Sequence, residues 1–481
     1  MESKIGEFNG MKALIMGLGL NGGGLESALY LHKMGAEITI TDLRTEDVLK
    51  PSIDKLKGIP IQYVLGRHNI EDFKKADLVV KNPGVRGDSP YLKNVRRVET
   101  DISLFLTESP AKLIAVTGTK GKSSVSSAIH HALSCASAHK LFSGSSWLGG
   151  NIAVSPLSFL DKLKKDDYVV LELSSFQLGD LRSNPLLKPR AVVMTPILQD
   201  HLDRYGTMEN YINDKRVIYQ NQDNEDAIIV SDDSWGMSFK MESRARAYIY
   251  GDREPEKGIS GGWYGAWDAP AFTRLWNAPQ ADTCFALGSL ELGETIELVP
   301  AKLKVKGMHQ KQNLLSSALA LLDLGLSADF IRECMGSFGG VEHRLELFHE
   351  KDEINFFDDT CATIPESALA AVKSFAKPPL LLCGGSDKKL DFGILAEAVS
   401  LCRKTFLLEG EGTEKLREFL HAKGMAYYGP YSSLEAALDE ISRHAVKGDN
   451  ILLSPGCSSF GMFANEFDRG NKWKKLVRER F

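Results

Sequence analysis

The sequence predicts an α/β protein of several domains, and three observations carry that prediction. Two apolar strands each run into a glycine-rich turn and then a helix: Met11–Met16 into Gly17–Gly24, and Leu113–Val116 into Thr117–Ser124. Nearer the C-terminus, the runs INFFDDT, PLLLCGGSDKKLDF and NILLSPGCSSFGMF each end in polar residues. Open α/β sheets bind ligands with groups placed at the carboxyl ends of their strands. Finally, 481 residues exceed what one core organises, so about two to four domains are expected.

Composition narrows the function. Hydrophobic residues make up 43% and charged residues 25% of the chain, ordinary values for a soluble globular protein. A net charge of -5 argues against a general nucleic-acid binder. The N-terminal MESKIGEFNGMKALIMG lacks the pattern of a signal peptide. No apolar run reaches the roughly 18 residues a membrane span needs. Seven scattered cysteines without a CxxC pair read as reduced thiols, so a cytoplasmic location is expected.

The first turn, GLGLNGGG, is followed by a helical stretch, Leu25–Lys33, and a second strand, AEITITD, ending at Asp42. That fits a GxGxxG dinucleotide fingerprint with an acid about 20 residues further on. It points to a nucleotide diphosphate over the turn, with Asp42 near a ribose or base. A third strand ends at Lys81, and Asn82-Pro83-Gly84 makes a turn. Gly84 could let backbone approach the same ligand, although spacing alone favours a plain loop.

The second turn, TGTKGKSS, is a shortened phosphate loop, because Val116 stands where the strict motif has its first glycine. Gly118 and Gly121 leave room for phosphate against the backbone, and the following helix points its N-terminus at the anion. Lys122 can reach the β- and γ-phosphates, and the Ser123 hydroxyl can ligate Mg²⁺. VSSAIHHAL places Val125, Ile129, Ala132 and Leu133 on one helical face.

Beyond the loop, a Gly-rich turn is expected at WLGGNIAV, centred on Asn151. DDYVVLELSSFQL reads as a buried strand ending in Glu172. An acid at such a strand tip beside a phosphate loop is a candidate Mg²⁺ ligand. QDHLD crowds Asp200, His201 and Asp203 into one loop after a strand over 191–194. Thr207 then caps a helix with the stripe Met208, Tyr211, Ile212, Ile218 and Tyr219, and Lys215 falls on that stripe. The stripe alone favours a lysine that snorkels its ammonium outward; the alternative is a desolvated, neutral amine. Residues 234–300 carry no usable motif. KGMHQKQN opens a helix in whose first turn Asn313 could contact a base or ribose, and GGVEHR reads as a linker into a further α/β unit.

Together these motifs resemble the Mur ligases, in particular their D-glutamate-adding members. The likeness spans nearly the whole chain: GLGLNGGG, TGTKGKSS, GGNI, LELSSFQL, DHLDRY with its downstream lysine, HxxxN, EHR, DDTCAT, GGSDKKLDF and SPGCSSF with the downstream Arg469-Gly470. It implies three domains: a Rossmann-like 1–100 for the UDP end of the substrate, a phosphate-loop ATPase domain at 101–340, and a mobile Rossmann-like 341–481 for the amino acid. Leu20, Asn21, Asp42, Leu43, Arg44 and Gly84 would line the uridine diphosphate pocket, with Asn151 and His201 toward the muramoyl part. Gly118, Thr119, Lys120, Gly121, Lys122, Ser123 and Ser124 would hold ATP, joined by Asn313, Arg344 and Asp359. Ser123, Glu172, His201 and Lys215 would form the cluster for two Mg²⁺ ions. The resemblance reverses the snorkelling reading, since the matching lysine is carbamylated by CO₂. Thr363, Lys388, Ser459 and Phe460 would bind D-glutamate.

The implied activity is ATP-dependent amide formation between D-glutamate and UDP-N-acetylmuramoyl-L-alanine through an acyl phosphate, in cytoplasmic peptidoglycan precursor synthesis, by a monomer. The chain departs from the family pattern at Lys120, Ser124, Gln310, Cys361, where some members have a nucleotide-contacting lysine, and Glu466, which often is Phe. The alternatives are a related ligase adding another amino acid, such as L-glutamate, or acting on folate, a phosphate-loop binding protein, and a dehydrogenase. The last would give no work to Lys122, Glu172 or Lys215.

Overall fold

A computed structural model describes residues 7–20, 22–93, 95–152, 154–251, 261–268, 273–275, 284–289, 295–300, 303–305, 308–387, 391–459 and 461–481. The chain divides into two compact units. One holds Met1–Tyr264 with Leu287–Leu298 and Asn313–Cys334, and the other Gly265–Ala286, Val299–Gln312 and Met335–Phe481.

The first unit contains a parallel sheet of β1 (Lys12–Met16), β2 (Glu37–Asp42), β3 (Ile61–Leu65), β4 (Leu78–Lys81) and β5 (Val98–Glu99), in the order β3-β2-β1-β4-β5. The strand β1 buries Ala13 to Met16, as expected of an apolar run covered on both faces. The helix after the first turn starts earlier than the apolar pattern suggests, at Gly23 rather than Leu25. Small residues let it begin there: a Cβ on Gly24 would lie 2.5 Å from the Gly17 carbonyl oxygen.

The same unit carries β6 (Lys112–Thr117), β7 (Ser146–Gly150), β8 (Tyr168–Glu172), β9 (Ala191–Met194), β10 (Ala227–Ser231) and β11 (Arg246–Gly251). These are parallel in the order β11-β10-β9-β6-β8-β7. In both sheets the glycine turn leaves the strand where the order reverses, β1 in one and β6 in the other, which is where such sheets open a ligand crevice. WLGGNIAV is more strand than the glycines suggest: Trp147 and Leu148 pair with Val169 and Val170, and the chain turns only at Asn151. Helix Lys122–Ala138 buries Val125, Ile129, Ala132 and Leu133 as its spacing requires. The helix capped by Thr207 ends at Arg216, and Ile218 and Tyr219 reach the core from a 3₁₀ turn. Asn313 lies in the second turn of helix Met308–Asp323, not the first.

Four short strands follow in the chain: β12 (Gly261–Asp268), β13 (Thr273–Leu275), β14 (Cys284–Ser289) and β15 (Thr295–Val299). The second unit is built on β16 (Glu346–Lys351), β17 (Ile354–Asp358), β18 (Leu380–Cys383), β19 (Lys404–Leu408), β20 (Tyr428–Tyr431) and β21 (Asn450–Leu453). Their order is β16-β17-β21-β18-β19-β20, and only β16 is antiparallel to its neighbour. The three expected apolar runs are β17, β18 and β21, side by side at its centre. Among the described residues, no helix is long and apolar enough to cross a membrane.

Candidate active site

The phosphate loop is shaped by two glycines that no other residue could replace. Gly118 has φ of 142°, and a Cβ there would sit 1.9 Å from Thr195 Oγ1; Gly121 has φ of 90°, and its Cβ would sit 2.4 Å from Asn313 Oδ1. Both conformations lie where an L side chain is strained. Thr119 staples the loop to its surroundings: its N–H donates to the Pro196 carbonyl (3.1 Å), and its hydroxyl meets Leu198 N–H (3.0 Å) and the Tyr211 hydroxyl (3.1 Å). Lys122 curls over the loop, donating to the carbonyls of Gly118 (3.2 Å) and Thr119 (2.9 Å). Ser123 and Ser124 open the helix, Lys120 stands exposed, and Asn313 is buried against Gly121.

Lys215 is a buried amine beside this loop. It is 1% exposed, donates to the Gly118 carbonyl (2.8 Å), and lies 4.5 Å from the centre of the Tyr211 ring. Burial, and then the nearby Lys122 ammonium, pull its pKa well below the ordinary lysine range. The snorkelling reading is therefore corrected: the amine points into the site, because helix Met208–Arg216 turns that stripe toward the phosphate loop.

Glu172 ends β8 and is 2% exposed. Its Oε1 accepts from Asn151 Nδ2 (2.9 Å), while Oε2 is buried without a hydrogen-bond partner. A buried carboxylate oxygen left unmatched is costly, and a hard divalent cation is the partner that suits it. Ser123 and His201 could complete such a set. His201 adopts φ of 53°, its ring centre lies 5.0 Å from that of Phe176, and its Nε2 is 3.8 Å from Asp200 Oδ2. The donor set present thus fits Mg²⁺.

A cavity of about 400 Å³ gathers these groups. Lys122, Lys215, His201, Asn151 and Gly84 all line it, so the turn after β4 is part of the site rather than a plain loop. Among the lining residues to which sequence reasoning gave no site role are Asp101, Ser155 and Tyr211. Asp101 is buried, accepts from Ser155 Oγ (2.9 Å), and has its carboxyl pushed above the usual range by burial. Tyr211 was visible as a stripe residue; Asp101 and Ser155 had no local signal.

The first glycine turn is organised differently. Asp42 Oδ2 accepts from Gly19 N–H (3.2 Å) and Oδ1 from Arg44 N–H (2.9 Å), so this acid holds the turn together. Leu20 and Leu43 are 44% and 67% exposed, apolar faces suited to a flat ring. A second cavity of about 210 Å³ is lined by Leu20, Gly22, Glu26, Ser52 and Lys55 among others. Asn21 lies outside the described residues.

The second unit holds its own group. Asp359 accepts from Ser454 Oγ (2.7 Å) and Leu345 N–H (3.0 Å), and burial raises its pKa to about 7. Arg344 is exposed beside it. Thr363 N–H donates to the Cys361 carbonyl (3.0 Å), and burial pushes the Cys361 thiol up to about 11, leaving it neutral. Ser459 is buried. Arg469, quoted in the motif but given no role there, is 1% exposed and donates to Thr360 Oγ1 and the Thr360 carbonyl (both 2.9 Å). Lys388 and Phe460 lie outside the described residues.

These features define an α/β protein of the phosphate-loop, nucleotide-using class. Residues 116–321 match the model of the Mur ligase middle domain, and residues 11–103 that of the Mur ligase MurD-like N-terminal domain. Curated relatives named UDP-N-acetylmuramoylalanine--D-glutamate ligase come from Treponema pallidum (35% identical, 99% of each chain covered) and Borreliella afzelii (37%, 98% of this chain and 99% of the other). A third, from Roseiflexus, is 36% identical over 97% of this chain and 98% of its own. Among solved structures, the UDP-N-acetylmuramate-alanine ligase MurC of Thermotoga maritima matches with a TM-score of 0.60 at 19% identity, covering 98% of this chain and all of the other. The MurF ligase of the same organism, in complex with ADP, matches at 0.57 and 15% identity, covering 99% and 97%. The chain belongs to the Mur ligase family.

Proposed function

We propose that this protein joins D-glutamate to UDP-N-acetylmuramoyl-L-alanine at the expense of ATP, acting as a cytoplasmic monomer in peptidoglycan precursor synthesis. The observation that carries the reading is the single cavity shared by the phosphate-loop lysine, the buried lysine, His201 and Asn151, with Glu172 behind it. Full-length likeness to relatives of that name supports the substrates. Residues 1–100 take the UDP end, 101–340 ATP, and 341–481 the amino acid.

ATP lies over Gly118–Ser124, its base or ribose toward Asn313; Arg344 and Asp359 are the nucleotide contacts proposed from the second unit. The uridine diphosphate rests on Leu20, Asn21, Asp42, Leu43, Arg44 and Gly84. Asn151 and His201 direct the muramoyl-alanine toward the γ-phosphate. The alanyl carboxylate attacks the γ-phosphorus and ADP leaves, giving an acyl phosphate. Lys122 exchanges its loop carbonyls for phosphoryl oxygens and offsets their growing charge. Magnesium held by Ser123, Glu172, His201 and Lys215 would supply the remaining charge compensation when bound. Lys215 serves as a carbamate: its neutral amine bonds to CO₂, releases a proton, and leaves a carboxylate able to face a second ion. D-Glutamate, held by Thr363, Lys388, Ser459 and Phe460, attacks the carbonyl carbon through its amine; the tetrahedral adduct expels phosphate and forms the amide.

Phosphate release measured with ATP, Mg²⁺ and bicarbonate should require both the UDP-substrate and D-glutamate. Release without either co-substrate, or equal turnover with L-glutamate, would overturn the reading; the second outcome would favour the related ligase that Cys361 and Glu466 leave room for.

A further inference from the structure

Lys81 ends β4, is 4% exposed, and immediately precedes the Asn82-Pro83-Gly84 turn that lines the main cavity. Its ammonium donates to two places at once: the Val85 carbonyl (2.9 Å) and Asp180 Oδ2 (2.6 Å). The first bond closes the turn, because Lys81 and Val85 are its two ends, and Asn82 spans it inside, with Val85 N–H donating to the Asn82 carbonyl (2.9 Å) and Gly84 N–H to Asn82 Oδ1 (3.0 Å). The second bond reaches the last residue of helix Ser175–Asp180. Ser175, Phe176 and Gln177 of that helix line the same cavity, and Glu172 lies just upstream on β8. Arg204 adds a second tether: its guanidinium packs 3.7 Å from the Phe176 ring centre and donates to the Gly84 carbonyl (3.3 Å).

An exposed lysine at a strand tip would cost nothing to keep and do little. A buried one, desolvated and matched to a carboxylate that is itself 13% exposed, fixes geometry, since breaking such a pair strands a charge. We propose that Lys81 and Asp180 form a positioning pair that sets the Asn82-Pro83-Gly84 turn against the strand bearing Glu172, and so holds the UDP-substrate in line with the phosphate loop. Neither side chain touches reacting atoms; each acts through the turn. The inference rests on the reading that this cavity takes the UDP-substrate.

The test is steady-state kinetics on Lys81→Met and Asp180→Asn in the full chain, varying UDP-N-acetylmuramoyl-L-alanine and ATP separately, with thermal midpoints alongside. A misplaced turn should raise KM for the UDP-substrate roughly tenfold or more and leave KM for ATP within about twofold. Because the two groups act as one, Lys81→Met/Asp180→Asn should be no worse than the poorer single variant. If Lys81→Met fails to fold, the doubly neutral variant Lys81→Gln/Asp180→Asn carries the same comparison. A lowered midpoint with both KM values unchanged, or equal rises in the two KM values, would sink the pair as a positioning device. Failure of the unaltered protein to use the UDP-substrate would instead remove the functional reading beneath it.

Discussion

The two glycine turns of the first unit share one local plan and differ in what stands behind it. Each leaves an apolar parallel strand at the point where strand order reverses, and each begins a helix. At the first, Asp42 gives both carboxylate oxygens to backbone N–H groups and holds the turn. At the second, an acid is left with an unmatched oxygen, Glu172 Oε2, and two lysines crowd the loop. The difference teaches that a strand–glycine–helix unit makes a cradle, and that the residues behind it decide whether the cradle only holds or also reacts.

Substitutions can break that contrast. The largest effect is expected for Lys215→Ala: turnover should fall by about 10³-fold, in the range lost when an electrostatic element of a site is removed. Added formate or acetate should restore part of it, while UDP-substrate affinity by calorimetry stays near that of the unaltered protein. Wild-type-like turnover would place Lys215 with the holding residues. Gly24→Ala should do the reverse. Its Cβ would meet the Gly17 carbonyl at 2.5 Å, so UDP-substrate affinity should drop about tenfold from a displaced turn, with ATP affinity kept. Asp42→Asn keeps the shape but leaves one acceptor oxygen and turns an NH₂ toward the other backbone N–H, so one hydrogen bond is lost and the other loses its charge; UDP-substrate affinity should fall by about threefold to tenfold, again with ATP affinity kept.

The smallest effect is a pH dependence confined to the reactive turn. The folded pKa of Lys215 is held below its unfolded value, so the unfolded chain binds more protons between the two. In CO₂-free buffer, the stability contributed by this residue should therefore rise with pH through that window, whose upper limit is the ordinary lysine value of about 10.4. Lys215→Met should flatten that part of the thermal-midpoint profile. An unchanged slope would mean that the buried amine stays charged.

Much of this was legible in the sequence where residue type and local order determine the outcome. Strands β1, β6, β8, β17, β18 and β21 are continuous apolar runs, and Gly118, Gly121, Lys122 and Glu172 lie where strand ends and turn chemistry require. The direction of Lys215 was not legible from its stripe, because a helix face says which residues share a side, not which neighbour that side meets. Asp101 and Ser155 are 54 residues apart and meet only through the fold. The same holds for Lys81 and Asp180, 99 residues apart. At WLGGNIAV the turn falls at Asn151 as expected, but parallel pairing with β8 overrode the turn preference of the two glycines before it.

One peptide oxygen, that of Gly118, accepts from both the Lys122 ammonium and the Lys215 amine. Two amines tethered to a common acceptor cannot change charge independently. If Lys215 takes up CO₂ as proposed, a carboxylate replaces a neutral amine and the neighbouring Lys122 gains an attracting companion, so its hold on the loop is tied to dissolved carbon dioxide. Dual replacement of these lysines should then depart from the product of the separate losses.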